Sequence, residues 1–347
     1  MDGYAACLSG GDRIRLIVPS VFYCGVAMTE QNESARSLFY RKNRLFFVGA
    51  ITCAIVAGAG LISFFVFTFI ARRTAAVSIR TIVQQWNDGT DPQYGAVYET
   101  SRTFLQAKPF NNTALTYHGY AAFFLALSEL DASRAQEYLD EAVNSLRLAL
   151  LFARKSLVPQ LEYMLGKAYF YKNTASSYYY ADLAVRYLTQ ADANGYRADD
   201  TAVYLGLSYA ALGMTLESIA AFTEALLVRE SDFLLLSIAE QYYKAGQSAA
   251  AAQYLYRVIN GSTNDDIIVQ SRILLGMIYI DRELYDEAET EFNAALEKNE
   301  NASDAYYGLG VLYEKRGDVV RARAAWRRAL RIQANHPGAV QKLADYR

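Results

Sequence analysis

The hydrophobic positions of this chain follow two different patterns. Residues 45–71 form an apolar run without a single charged side chain. Because about 20 apolar residues cross the hydrocarbon core of a bilayer, this run predicts a transmembrane helix. Beyond it, apolar residues recur at the three- and four-residue spacing of amphipathic helices, as Ile79, Ile82 and Trp86 do. The second pattern predicts a helical domain.

Basic residues flank the predicted transmembrane helix on both sides. Residues 25–44 carry four lysines and arginines, and residues 72–91 carry three. Since positive charge favours the cytoplasmic side, the small excess predicts a cytoplasmic N-terminus. The expected location is therefore the inner (cytoplasmic) membrane, with a single crossing and with the larger domain in the periplasm or otherwise outside the cytoplasm.

The N-terminal tail, residues 1–44, carries no other recognisable element. Residues 28–44 have the composition of a short cytoplasmic tail, so Met28 is the expected natural start. Within the predicted transmembrane helix, Ala50, Ala54 and Gly58 lie on one face. Small residues at this spacing allow two helices to approach closely, which leaves open a homodimer formed through this helix.

The C-terminal half repeats itself at an offset of 34 residues. Gly276 recurs as Gly310, and Tyr279 recurs as Tyr313. The other equivalent pairs are Ala288 with Ala322, Phe292 with Trp326, and Ala295 with Ala329. The large residues fill the space between two antiparallel helices, and the glycine and alanines lie where the helices approach too closely for larger side chains. Because one helix pair cannot cover its own apolar face, such units must stack.

Related copies extend this pattern towards the N-terminus. Leu205, Gly206 and Tyr209 open a clear upstream unit. The predicted divisions are a helical, degenerate segment at 72–111, repeats over 112–336 that are clearest at 159–198, 199–231, 232–268, 269–302 and 303–336, and a capping helix at 337–347.

This spacing and these residue types resemble the tetratricopeptide repeat (TPR) closely. The resemblance covers roughly residues 112–347. It implies an all-α solenoid, a right-handed superhelix of helix pairs, which here is preceded by one transmembrane helix. It also implies that the concave side of the solenoid binds protein or peptide partners.

The family register places specific side chains on that concave side, in a groove lined by the first helix of each pair. The expected partner-binding residues are Tyr120, Phe124, Tyr163, Lys167, Phe170, Tyr171, Leu207, Phe233, Leu236, Tyr243, Lys244, Ile273, Met277 and Tyr307. They are mostly aromatic or aliphatic. An apolar, tyrosine-rich surface of this kind suits protein recognition. Two alternatives remain open: some of these aromatics pack between neighbouring first helices, or residues 75–108 fold into the groove.

Composition argues against catalysis and against nucleic-acid binding. The chain has 28 tyrosines, 2 histidines and 3 cysteines, and its formal net charge is −2. No phosphate-binding loop, nucleophile motif or zinc motif occurs. We therefore expect no enzymatic activity, cofactor, metal ion or nucleic-acid partner. His118 is expected to pack inside, and His336, beside Pro337, to be solvated.

Two functional hypotheses follow. The first is a membrane-anchored scaffold that binds protein partners in its groove. The alternative is a fixed subunit of a cell-envelope assembly, or of a complex associated with chaperones or translocation. The basic stripe Arg323, Arg327 and Arg331 is interpreted as a solvated convex face, or else as a contact for an acidic partner or anionic lipid headgroups.

Overall fold

The computed structural model describes residues 55–66, 78–88, 93–175 and 179–346, which contain helices and no strand. This content confirms the predicted all-α fold class. The chain divides into two compact units, Met1–Arg72 and Arg73–Arg347. In the first unit, residues 55–66 form helix α1. The expected N-terminal tail and its Met28 lie outside the described residues.

The structure contradicts the predicted membrane location. Among the described residues, no helix is both long enough and apolar enough to cross a bilayer. Residues 45–54 and 67–71 of the predicted span lie outside the described part of the chain. The prediction of a single-pass membrane protein is therefore wrong on this finding, and the homodimer that was left open through this helix loses its basis.

The second unit is a linear array of antiparallel helices joined by short loops. From α4 to α15, each even-numbered helix is the first helix of a pair and each odd-numbered helix is the second, and α16 follows the last pair. The helices are α2 Ile79–Asn87, α3 Tyr94–Ala107, α4 Asn112–Ser128, α5 Ala132–Leu151, α6 Val158–Ala175, α7 Ala181–Ala193, α8 Thr201–Ala211, α9 Thr215–Val228, α10 Asp232–Lys244, α11 Ser248–Gly261, α12 Asp265–Asp281, α13 Tyr285–Lys298, α14 Ser303–Lys315, α15 Val319–Ile332 and α16 Pro337–Asp345.

In every pair except α10–α11, whose first helix has no glycine, close approach depends on one glycine of the first helix. A Cβ atom added to Gly310 would lie 2.2 Å from the indole nitrogen of Trp326 on α15, which is fully buried. The corresponding contact in α4–α5 would bring a Cβ on Gly119 to 2.6 Å from Leu146. The weaker N-terminal copy therefore uses the same packing rule as the clear C-terminal one.

The turn inside each C-terminal pair needs a residue in the left-handed region. Gly213, Gly246 and Gly317 supply it with φ between 71° and 81°, and Glu283 adopts it with φ 61° at the equivalent place. Each turn is closed because the N–H of the residue that follows donates to the carbonyl of a tyrosine five residues earlier, as Asp318 N does to the Tyr313 carbonyl at 2.8 Å. Glycine is favoured there because it lacks the Cβ that strains this conformation.

The first helices form the inner side of the array. Consecutive first helices pack on each other, α4 on α6, α6 on α8, α10 on α12 and α12 on α14, and α2 packs on α4 in the same way. A curved stack brings its elements together on the inner side, so the surface shared by the first helices is the concave one. We call it the first-helix face.

Candidate functional site

All fourteen residues expected in the groove lie on first helices, from α4 to α14. The structure divides them into three regions with different surroundings. At both ends of the array, neighbouring helices cover them. In the middle, several are held by contacts between consecutive first helices, and Phe233 is left exposed.

At the N-terminal end, α2 covers the start of the first-helix face. The Trp86 ring lies 5.9 Å from the ring of Tyr120 and 6.2 Å from that of Phe124. Tyr94 of α3 also stacks on Phe124, with ring centroids 4.6 Å apart. Burial raises the pKa of the Tyr120 phenol. These two expected groove residues therefore take part in packing between consecutive helices.

The charge of Lys167 on α6 is paired with a carboxylate of the same chain. Its Nζ lies 2.9 Å from Asp200 Oδ2 at the start of α8, and 4.7 Å from the centre of the Tyr204 ring. Tyr163 donates its hydroxyl proton to the same carboxylate. Burial, followed by this hydrogen bond, raises the pKa of the Tyr163 phenol. The Asp200 carboxylate thus joins the start of α8 to α6.

Phe170 and Tyr171 are fixed by the next first helix. The Phe170 ring meets the Tyr204 ring edge-on at 5.1 Å, and the hydroxyls of Tyr171 and Tyr204 are 3.0 Å apart. On its other side Tyr171 contacts Phe123 of α4 at 5.6 Å. These rings are partly buried, and contacts within the chain hold them in place.

The α10 residues differ sharply in exposure. Leu236 is buried, whereas Lys244 is exposed and Phe233 keeps 48% of its surface accessible. Tyr243 donates a 2.7 Å hydrogen bond to Asp281 Oδ2 on α12. Leu207 on α8 is partly buried against the cluster of Ala202, Phe222 and Ile238. Phe233 is thus the most exposed apolar side chain among the predicted residues.

At the C-terminal end, α16 covers the face in the way that α2 does at the other. His336 was expected to be solvated, and that is wrong: it is buried, donates to Asp304 at 2.9 Å, and accepts from Ala339 N as the cap of α16. Its ring lies 5.0 Å from Tyr307. Ile273, Met277 and Tyr307 are partly buried against the cluster around Phe292.

The sequence did not predict a hydrogen-bonded network that lies between α3, α4 and α5. His118 is buried, as expected, but it also lies 2.9 Å from Ser101 Oγ and 3.0 Å from Glu141 Oε1. The order of serine, histidine and acid is that of a hydrolytic triad. However, Ser101 is fully buried and donates to the Tyr98 carbonyl, and the surface pocket beside this network is lined by Glu141 and not by Ser101. The network therefore joins three helices and offers no accessible nucleophile.

This network predicts a specific pH dependence of stability. Burial raises the pKa of Glu141, but hydrogen bonds from Tyr98 and His118 outweigh it and the net pKa is lowered. A lowered folded-state pKa contributes stability above the unfolded pKa, and that contribution is lost as pH falls through the folded value. Glu141→Gln should cost about 1 kcal/mol near pH 7, since the site is partly screened by solvent. The variant should then lose less stability than the natural chain between pH 5 and pH 3.

Urea unfolding midpoints across that pH range test this expectation. Glu137→Gln, one turn earlier on the same helix and exposed, is the control and should follow the natural chain. Parallel curves for the natural chain and Glu141→Gln would contradict the assignment.

Comparison with known proteins agrees with this geometry. The family model described as tetratricopeptide repeat matches residues 273–339, from α12 to the start of α16. Over these residues the chain is similar to the tetratricopeptide-repeat family. The matched stretch contains the two copies whose 34-residue offset is unbroken. A search of curated proteins found no match.

Solved TPR structures extend the similarity in fold to the rest of the array. The C-terminal part of a TPR repeat-containing protein from Cytophaga hutchinsonii is 14% identical, with a TM-score of 0.52, and the match covers 76% of this chain and 98% of that one. A tetratricopeptide repeat protein from Parabacteroides merdae is 18% identical, also with a TM-score of 0.52, over 66% and 87% of the two chains. Identities this low concern the fold alone, which is a TPR-like helical solenoid.

Proposed function

We propose that this chain is a TPR scaffold that binds an extended or helical apolar segment of a protein partner on the middle of its first-helix face. The observation that carries the proposal is Phe233, an accessible aromatic side chain on a face whose other aromatics are held in place. Exposed aromatic residues beside ordered ones are typical of binding hot spots.

The fixed positions of the aromatic rings in the middle of the first-helix face support the proposal. Phe170 and Tyr171 are fixed against Tyr204, and Tyr243 is fixed by Asp281. A partner that packs on these rings does not have to order them, which lowers the entropic cost of binding. The two ends of the face are occupied by α2 and α16, so the proposal is confined to α6–α12.

Phe233→Ala is the most direct test. Truncation of a buried interface aromatic costs about 2 kcal/mol or more, so capture of the partner should fall roughly thirtyfold. The measurement is affinity capture with the full chain as bait, followed by quantitative mass spectrometry. Phe233 makes no ring contact with another described side chain, and the helical circular dichroism signal should therefore stay unchanged.

Phe110→Ala is the matched control, because Phe110 is also an exposed phenylalanine, at 64%, but lies in the loop between α3 and α4. It should capture the same partners as the natural chain. Equal capture by Phe233→Ala would move the binding site off this part of the face. The double variant Tyr171→Ala with Tyr243→Ala is a weaker test, since both tyrosines also join first helices.

The stoichiometry of the captured partner separates the two modes of action. A scaffold exchanges partners, so they are recovered in less than equal amounts and are displaced by a competing peptide. A fixed subunit is recovered with its assembly at constant ratio.

A further inference from the structure

Two consecutive second helices carry opposite charge on the outer side of the array. Helix α13 contains five acidic residues and one lysine, and α15 contains five arginines and no acidic residue. At the 34-residue offset, three acidic residues of α13 correspond to arginines of α15. The equivalent pairs are Glu287 with Arg321, Glu289 with Arg323, and Glu297 with Arg331.

Some of these charges are already paired within the chain. Glu289 binds Arg316 at 2.5 Å, Glu291 binds Arg272 at 2.7 Å, and Arg321 binds Asp318. These pairs join consecutive helices or cap a helix, so they belong to the fold.

The charges that remain point outward. Glu287 and Glu297 on α13, and Arg327 and Arg331 on α15, are exposed, and no ion pair among the described residues uses them. Val320, which is 81% exposed, lies on the same stripe of α15 as Arg327 and Arg331, at intervals of seven and four residues. The exposed side of α13 thus carries unpaired acidic residues, and the exposed side of α15 carries unpaired basic residues and the apolar Val320.

We propose that two copies of this chain associate through the surface formed by α13 and α15. The two helices occupy equivalent places in consecutive pairs and run in the same direction. A two-fold axis parallel to them, outside the molecular surface and equally distant from both, would bring α13 of each copy against α15 of its partner. Like charges would be separated, and the dimer would contain two equivalent contacts, each between the acidic helix of one copy and the basic helix of the other.

The area of this surface determines how strongly the two copies are expected to associate. A 14-residue helix is about 21 Å long, and the outer sides of two such helices present roughly 400 Å² per copy. That area falls in the small class of interfaces, which are transient. Electrostatic complementarity then decides partner choice and rate of association, and salt should weaken the contact because these charges are exposed.

Charge reversal tests the proposal with the full chain. Sedimentation velocity at 50 mM and 500 mM salt should show a concentration-dependent dimer that weakens at least tenfold at the higher salt. Arg327→Glu with Arg331→Glu should weaken the dimer at least tenfold at low salt, and Glu287→Arg with Glu297→Arg should do the same. An equimolar mixture of these two variants should associate again, because one then carries two acidic rows and the other two basic rows.

Arg154→Glu with Lys155→Glu makes the same change in net charge at two exposed residues between α5 and α6, and it should leave the dimer intact. Monomeric behaviour of the natural chain at low salt would overturn the proposal, as would an equal loss in this control or no recovery in the mixture. Growth beyond a dimer would also overturn it, since a non-reciprocal contact extends without closing. Circular dichroism confirms that each variant is folded.

Discussion

Gly310→Ala should destabilise the C-terminal end of the array by about 1–3 kcal/mol, although alanine is the better helix former. The added Cβ would lie 2.2 Å from Trp326, whose ring is fully buried between α14, α15 and α16 and has no space into which to move. One methyl group therefore pushes two helices of a pair apart.

Intrinsic fluorescence measures this effect where it occurs. The chain has two tryptophans, Trp86 on α2 and Trp326 on α15, so a Trp86→Phe background reports on the C-terminal end alone. Gly95→Ala is the matched control, since Gly95 is the second residue of α3 and has open space around it, and its unfolding is followed by circular dichroism. The Gly95→Ala variant should have a free energy of unfolding about 0.5–1 kcal/mol higher than that of its parent. The same sign for both substitutions would show that helix propensity, and not crowding, governs Gly310.

Phe292→Ala should have the larger effect, because it should lower the free energy of unfolding by about 3–5 kcal/mol. The Phe292 ring is fully buried and fills the space between glycines of two consecutive first helices. A Cβ on Gly276 of α12 would lie 2.7 Å from it, and one on Gly308 of α14 would lie 2.3 Å from it. No neighbouring side chain occupies this space when the ring is removed, so a cavity forms where three helices meet.

A double variant separates the cavity from other causes. Gly308→Ala alone should destabilise, because its methyl group collides with the ring. In the Phe292→Ala background the same substitution should be neutral or stabilising, since the methyl group enters vacated space. Urea unfolding of the four proteins gives the coupling energy, and Phe152→Ala, at an exposed position, should cost less than 1 kcal/mol. Additive effects would show that Gly308 and Phe292 do not share one space.

The repeating unit could be predicted from the sequence because its determinants are local and periodic. Gly310 and Trp326 are 16 residues apart and recur as Gly276 and Phe292. Each such pair encodes one close contact inside one helix pair, and stacking follows from the apolar face left uncovered. The all-α class and the TPR-like solenoid, including which helices carry the expected groove residues, follow from this register.

The sequence pattern failed where one segment was interpreted without its surroundings. Residues 45–71 were interpreted from their hydropathy alone, and no membrane-crossing helix is found in the part of the chain that the structure describes. His336 was expected in solvent because it precedes a proline, but α16 folds back over α14 and buries it against Tyr307.

Only the tertiary structure decided which groove residues are accessible. Trp86 of α2 contacts Tyr120 of α4, and Lys167 forms an ion pair with Asp200, which lies 33 residues later in the sequence. Periodicity within one unit says which side of a helix is apolar, but it does not say how far the next unit advances along the array. That advance determines whether a side chain meets a partner on the neighbouring first helix, as Tyr243 does, or remains exposed, as Phe233 does.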